Sequence, residues 1–129
     1  MDKLEKSIKK DKKALLSYVD IDGYSVFMLY VTEKMFEEAD YMLSIGADIN
    51  FRDAMGYTSL LAHASSNDLE NVKYLVKNKC DLNISDRDGD TALMVSAQNK
   101  CKEVYDYLLA QGADTKILNK EGKSVFDYL

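Results

Sequence analysis

Apolar residues in this chain fall into short stretches that occur in pairs, with polar residues between them. In the middle of the chain, an apolar stretch over 60–64 is followed, after the polar pair Asn67-Asp68, by apolar residues at 72, 75 and 76. The second set has the i, i+3, i+4 spacing of one face of a helix. The pattern predicts a first helix from Ser59 to about Ser66 and a second helix that begins near Leu69.

Each pair of stretches is preceded by a turn that recurs every 33 residues. In the turn that begins at Asp53, Gly56 can adopt a positive φ without steric cost, and Thr58 is placed to cap the helix that follows. The equivalent residues elsewhere are Gly23, Gly89 and Gly122, with Ser25, Thr91 and Ser124. A unit of two short helices cannot bury its apolar face alone, so we expect the units to stack on one another.

These motifs resemble the ankyrin-repeat family, whose pattern is D-x-x-G-x-T-P-L-H-x-A-A…L-L-x-x-G-A-D-x-N. Residues 53–83 and 86–116 match it most closely, and residues 20–50 match it more loosely. The resemblance implies a mainly α fold, an ankyrin-repeat solenoid of stacked β-hairpin and α-hairpin units. It also implies a non-catalytic module that binds another protein.

The resemblance divides the chain into a single ankyrin-repeat domain over residues 1–129. The expected parts are N-terminal capping helices at 1–19, repeats at 20–52, 53–85 and 86–118, and a partial C-terminal repeat at 119–129. The last segment begins a first helix that has no second helix after it. It is therefore either a half-repeat cap or part of a longer array, in which case the chain is a structural spacer or docking fragment of a larger ankyrin-repeat protein.

The sequence departs from the family pattern in ways that lower its expected stability. It contains no proline, so the helix-opening position holds Val26, Ser59, Ala92 and Val125. The family histidine, which bonds back to the threonine, is replaced by Met28, Leu61 and Met94. Helix capping must then depend on Ser or Thr alone. Lys79 stands where glycine ends the other second helices, which predicts a weak point there.

The composition fits a folded domain that works in the cytoplasm. The chain is 47% hydrophobic and 30% charged, with no apolar run long enough for a membrane helix and no secretory h-region. Residues 1–19 hold six lysines against three acidic residues, whereas residues 20–129 hold eleven basic against nineteen acidic residues. An acidic body repels phosphate backbones, so we expect no nucleic-acid partner, no membrane binding and a monomer.

No set of side chains indicates catalysis, a cofactor or a metal. The motif DRDGD at 86–90 lacks the spacing and the closing glutamate of a calcium loop, and no apolar strand precedes it as an aspartate nucleophile requires. We expect His63 to be a packing residue, because no nucleophile or carboxylate stands at matched spacing. We expect Cys80 to be buried and Cys101, at the start of a second helix, to be the more exposed cysteine.

The resemblance also implies where a partner binds, namely at the turn tips and near the ends of the first helices. Carried over by position, the expected contacts are Tyr24, Ala54, Met55, Tyr57, Arg87, Asp88 and Asp90 in the turns, and Glu33, Ser65, Ser66, Gln98 and Asn99 at the helix ends. Met55 and Tyr57 are the most informative, because turn tips are normally polar. Either they form a contact patch, or Tyr57 lies back over its own hairpin and Met55 packs on a neighbouring one.

Overall fold

The computed structural model describes residues 2–129 as a series of short helices joined by turns. The helices are α1 (Lys3–Ser17), α2 (Val26–Thr32), α3 (Phe36–Ser44), α4 (Ser59–Ser65), α5 (Leu69–Lys77), α6 (Ala92–Gln98) and α7 (Lys102–Ala110), with a final 3₁₀ helix over Val125–Tyr128. Within residues 2–129, no helix combines the length and the apolar character that crossing a membrane requires.

Helices α2 to α7 form three pairs, and each first helix begins at a hydroxyl cap. The side-chain oxygens of Ser25, Thr58 and Thr91 each accept a hydrogen bond from the backbone N–H of the residue three positions later, at 3.2–3.3 Å. The predicted helix over 59–66 is confirmed to within one residue, and the second helix begins at Leu69 as expected. Capping thus depends on Ser and Thr, as the missing histidine and proline required.

The turns before the first helices share one hydrogen-bond pattern. The side-chain Oδ1 atom of the first turn residue accepts the backbone N–H groups two and four residues onward, and these residues are Asp20, Asp53, Asp86 and Asn119. The glycine of each turn has φ between 75° and 86°, which only glycine adopts at little cost. Around these turns the expected β-hairpins are reduced to isolated bridges, Val19↔Ser25 and Ser85↔Thr91.

The N-terminal segment differs from the expected capping helices, because residues 2–19 contain the single helix α1; Met1 lies outside the described residues. Asp2 caps α1 by accepting the Glu5 N–H at 2.8 Å. By position, the lysines of α1 occupy one half of the helix, which includes Leu16 but not Leu15. Leu15 packs against the core, whereas Leu16 is exposed. The segment is thus one largely exposed helix and not a helix pair.

The core runs through all three helix pairs. The fully buried apolar side chains are Val31, Ala39, Ala64, Val72, Leu75, Ala92, Val104 and Leu108. The buried Val72 and Leu75 confirm the stripe predicted on α5. Cys80 is buried as expected, but the prediction for Cys101 is wrong, since only 6% of it is exposed. Its thiol lies 3.7 Å from the Ser65 carbonyl oxygen of the preceding repeat, which covers the start of α7.

Side-chain amides connect the tail of one unit to the tail of the next. Asn50 Oδ1 accepts the Asp81 N–H at 2.9 Å, and Asn83 Oδ1 accepts the Asp114 N–H at the same distance. The first helices nevertheless stack unevenly, because the backbones of α4 and α6 approach closely and those of α2 and α4 do not. Position 96 on α6 holds a fully buried serine, whereas the equivalent position on α4 holds the larger His63.

Candidate interaction surface

The first helices and the turns before them form one face of the molecule, here called the first-helix face. The α4–α6 groove on this face has a volume of about 380 Å³. It brings together six of the residues expected to contact a partner: Tyr57, Ser65, Asp88, Asp90, Gln98 and Asn99. Two separate sequence segments therefore supply neighbouring positions on one surface.

The α4–α6 groove is acidic along the turn that precedes α6. One carboxylate oxygen each of Asp86, Asp88 and Asp90 lies within 4.8 Å of the others. These groups already have structural partners, because Asp86 Oδ1 accepts two backbone N–H groups and Asp90 Oδ1 accepts the Asn119 side-chain amide at 2.8 Å. The cluster therefore shapes the turn, and it gives the groove a negative potential that disfavours acidic partners.

The α2–α4 groove is smaller, at about 200 Å³, and contains two more of the expected contacts, Tyr24 and Ser66. Its other lining residues are Met28, Thr32, Asp53, Thr58, Ser59, Ala62 and His63. The groove lies where α2 and α4 are held apart. His63 lies in its wall and is only 9% exposed, in line with the expected packing role.

His63 belongs to a chain of polar contacts that connects the first two repeats. Its Nδ1 atom lies 3.4 Å from Asn71 Nδ2, and Asn71 Oδ1 accepts a hydrogen bond from Lys34 Nζ at 3.1 Å. Lys34 also donates to both carboxylate oxygens of Asp68 at 2.9 Å. Burial lowers the pKa of His63, the nearby Asp68 carboxylate opposes this shift, and the Lys34 charge adds to it. The ring is therefore neutral at neutral pH.

The turn tips carry exposed apolar side chains. Met55 is 61% exposed and Tyr57 is 37% exposed, so neither is folded away beneath its own hairpin. Tyr57 also lines the α4–α6 groove, which Met55 does not. Ala54 is engaged through its backbone, since its N–H donates to the Asp22 carbonyl oxygen at 3.0 Å and its own carbonyl oxygen accepts from the Arg87 guanidinium at 2.7 Å.

The helix-end residues differ in how freely they are presented. Asn99 donates its side-chain amide to the carbonyl oxygen and the hydroxyl of Ser65, at 3.1 and 3.0 Å, which ties the ends of α4 and α6 together. Ser66 donates to carbonyl oxygens of its own helix. Gln98 is exposed at the groove, whereas Glu33 is exposed at the end of α2 outside both grooves.

Two features of this surface were not predicted from the sequence. The first is the contact chain from Lys34 through Asn71 to His63. The second is that both arginines of the chain, Arg52 and Arg87, lie at the joint between the second and third turns. The sequence does contain a signal for the arginine pair, because these two residues are the only arginines in a chain that is otherwise rich in lysine.

Comparison with known proteins agrees with the repeat architecture. A family model described as ankyrin repeats in three copies matches residues 13–119. No curated protein matches the chain.

Proposed function

Because the chain belongs to the ankyrin-repeat family, we propose that it is a non-catalytic module that binds a partner protein through its first-helix face and turn tips. Ankyrin repeats are generally protein–protein interaction modules. The observation that carries the proposal is the α4–α6 groove, where half of the expected contact residues lie together. Its exposed lining is mainly polar, with Leu61, Ala62 and Val95 among the polar side chains.

The proposed contact surface has a centre and an edge. Tyr57 stands at the groove and is the kind of residue that contributes most of the binding energy when a partner covers it. Asp88 and Asp90 lie on the rim, where charges mainly set orientation and association rate. Met55 and Ile21 extend the surface beyond the groove, since both are exposed apolar side chains on turn tips.

We propose a cytoplasmic site of action and a monomeric chain as part of this function. Two unpaired thiols, Cys80 and Cys101, suit a reducing compartment. Burial, followed by the Asp81 carboxylate, raises the pKa of the Cys80 thiol to about 11, which keeps it unreactive. The net charge of −5 disfavours nucleic acid as a partner. We place the repeats at 20–52, 53–85 and 86–118, with a partial repeat at 119–129.

A structural role within a larger ankyrin-repeat protein is the second candidate function. It is favoured by the exposed apolar side chains Leu118, Phe126 and Leu129 at the last unit, where a further repeat would stack. The mass of the native protein in its source separates the two functions. A mass near 14.6 kDa excludes the larger protein.

Photo-crosslinking tests the proposed surface directly. A benzophenone amino acid replaces Gln98 at the α4–α6 groove or, as the matched control, Lys77 at the exposed end of α5. We expect the Gln98 probe to capture a discrete partner in source lysate and the Lys77 probe to capture none. The double substitution Met55→Ala/Tyr57→Ala should reduce the captured amount. Equal capture from both positions would contradict the proposed surface.

A further inference from the structure

The α2–α4 groove has the size of a pocket for one side chain. Its volume of about 200 Å³ is smaller than the roughly 300–1,000 Å³ of sites for cofactors and drug-sized ligands. A cavity of about 150 Å³ is enough to hold a benzene molecule. Met28, Ala62 and the Tyr24 ring supply an apolar lining. The groove therefore fits a single large aliphatic or aromatic side chain.

Two nearly buried polar side chains in the wall of this groove each have one atom without a hydrogen-bond partner. Ser59 and His63 are four residues apart on α4, on the same side of the helix, and are 3% and 9% exposed. Within residues 2–129, no hydrogen bond is made by Ser59 Oγ or His63 Nε2, and no fully enclosed polar atom lacks a partner. Both atoms are therefore accessible from the groove.

The contacts of Asn71 determine which nitrogen of His63 carries the proton. Lys34 Nζ can only donate, so the Asn71 atom that faces it is the carbonyl oxygen, Oδ1. The amide NH₂ of Asn71 then faces His63 and donates to Nδ1. A neutral ring that accepts at Nδ1 has its proton on Nε2. His63 thus presents an N–H donor to the groove.

Three other polar groups of the groove already have partners. Thr32 Oγ1 donates to the Met28 carbonyl oxygen at 2.9 Å, and Thr58 Oγ1 accepts the Leu61 N–H. Asp53 Oδ1 accepts two N–H groups of its own turn. Among the nearly buried side chains of the lining, the groups left for a ligand are the His63 N–H and the Ser59 hydroxyl. Together they can pair with the carbonyl oxygen and the N–H of a main-chain amide.

We infer that the α2–α4 groove is a specificity pocket for one large apolar side chain of the partner protein, whose adjacent main-chain carbonyl oxygen accepts a hydrogen bond from His63 Nε2. This inference rests on the proposed function and gives it a chemical class of partner, a peptide segment with an exposed aromatic or large aliphatic residue. This pocket is specific to the contact between the first and second repeats. At the contact between the second and third repeats, the position equivalent to His63 is residue 96, which is a serine.

The tautomer of His63 is the first test, and it needs no variant. His63 is the chain's only histidine, so nitrogen NMR of protein labelled with ¹⁵N-histidine reports on one ring. Near neutral pH we expect a protonated Nε2 and an unprotonated Nδ1. A ring protonated at Nδ1 would leave no donor in the groove and would overturn the inference.

Binding of a small probe is the second test. The probe is N-acetylphenylalaninamide, which joins one aromatic side chain to two amides, and the control is N-acetylalaninamide. We expect the phenylalanine probe to shift the methyl signals of Met28, Thr32 and Ala62 saturably, with a dissociation constant on the order of millimolar. The alanine control should not. Lack of saturation up to about 20 mM, or equal responses to both compounds, would overturn the inference.

Three variants locate the binding. Ala62→Leu fills the exposed end of the groove and should abolish binding. His63→Ser, which installs the residue found at position 96, should weaken binding about two- to tenfold, the value of one hydrogen bond. Lys77→Ala, at the exposed end of α5 outside both grooves, should leave binding unchanged. Binding that persists in Ala62→Leu would overturn the inference.

The two proposals fail in different ways. Crosslinking at Gln98 with no probe binding would keep the partner-binding function and reject the pocket. Probe binding without any crosslinked partner would keep the pocket and reject the proposed partner surface.

Discussion

The guanidinium of Arg87 donates to the carbonyl oxygen of Ala54 at 2.7 Å, and its aliphatic stem lies against Gly56. Arg52 completes the joint by donating to the carbonyl oxygens of Gly56 and Ser85, at 2.9 and 2.6 Å. At the neighbouring joints the turns touch backbone to backbone, through Ala54 N–H to Asp22 and Lys120 N–H to Asp88, both at 3.0 Å. Arginine side chains therefore replace a backbone bond at the central joint.

Removal of the Arg87 side chain is expected to weaken the stack. Arg87→Ala should lower the free energy of unfolding by about 1–2 kcal/mol, because a charged donor and its packing on the turn are both lost. Lys120→Ala, which removes a cationic side chain from the next turn tip, is the control and should change stability by less than about 0.5 kcal/mol. Urea unfolding followed by circular dichroism measures both. Equal losses in the two variants would contradict the role of Arg87.

Replacement of Lys79 by glycine is expected to stabilise the protein. Lys79 has φ of 68°, in the left-handed region, at the position that Gly46 and Gly112 occupy in the other repeats. A side chain there costs about 1–2 kcal/mol, and the greater freedom of glycine in the unfolded chain offsets part of the gain. We expect Lys79→Gly to gain about 0.5–1 kcal/mol in urea unfolding.

The control for this prediction is Lys77→Gly, in the last turn of α5. Glycine in a helix is unfavourable, so this variant should lose about 0.5–1 kcal/mol. A loss of stability in Lys79→Gly would show that the lysine side chain contributes more than its backbone strain costs.

Asp68, which is half-buried, is expected to contribute to stability through two separate contacts. It caps α5 by accepting the Asn71 N–H at 3.2 Å, and it receives Lys34 from the preceding repeat. Asp68→Ala should lower the free energy of unfolding by about 1–2 kcal/mol, most of it from the lost cap. Glu70→Ala, which loses only a 3.7 Å contact with Lys34, should lower it by less than about 0.5 kcal/mol. Thermal unfolding of both variants provides the comparison, and equal effects would rule out the cap as the main contribution.

Local rules made most of the fold predictable from the sequence. The caps at Ser25, Thr58 and Thr91, the glycine turns and the weak point at Lys79 each depend on one short segment and recur at a fixed spacing. What the sequence did not reveal depends on the neighbouring repeat. Cys101 was expected to be the more exposed cysteine because it stands at the start of a second helix, but the Ser65 carbonyl oxygen of the preceding repeat lies against its thiol.

The candidate site was predictable to a smaller extent, for the same reason. Position in the repeat indicated the residues of the α4–α6 groove, but not that Asn99 would donate to Ser65 or that Arg87 would join two turns. The α2–α4 groove could not be predicted, because it depends on the spacing between helices of two neighbouring repeats. That spacing follows from the packing of two repeats and not from the pattern of one.

The neutral, buried state of His63 predicts how stability changes with pH. Burial lowers the pKa of His63 below its ordinary value of 6.5, Lys34 adds to this, and Asp68 opposes it. The unfolded chain therefore takes up a proton below about pH 6.5 that the folded chain resists, so stability is greatest above that pH and falls as the pH decreases.

The contribution of Asp68 is separate from that of His63. Burial alone would raise the pKa of Asp68, but the hydrogen bonds from Lys34 and the Asn71 N–H outweigh it and hold the pKa below 3.8. Asp68 is thus ionised in both the folded and the unfolded chain between about pH 5.5 and 7.5. It therefore does not change how the free energy of unfolding depends on pH in this range. Asp53, the other carboxylate of the α2–α4 groove, is held in its own turn.

Thermal unfolding of the wild type and of His63→Ser between about pH 5.5 and 7.5 isolates the histidine. Because the variant lacks the chain's one histidine, the wild type should lose more stability than the variant as the pH falls. The extra loss of stability in the wild type should be largest at the acidic end of the range and absent above about pH 7. Parallel pH dependences would show that His63 is free to protonate in the folded state. A wild type that gains stability with acid would mean that the Asp68 carboxylate, and not burial, controls the ring.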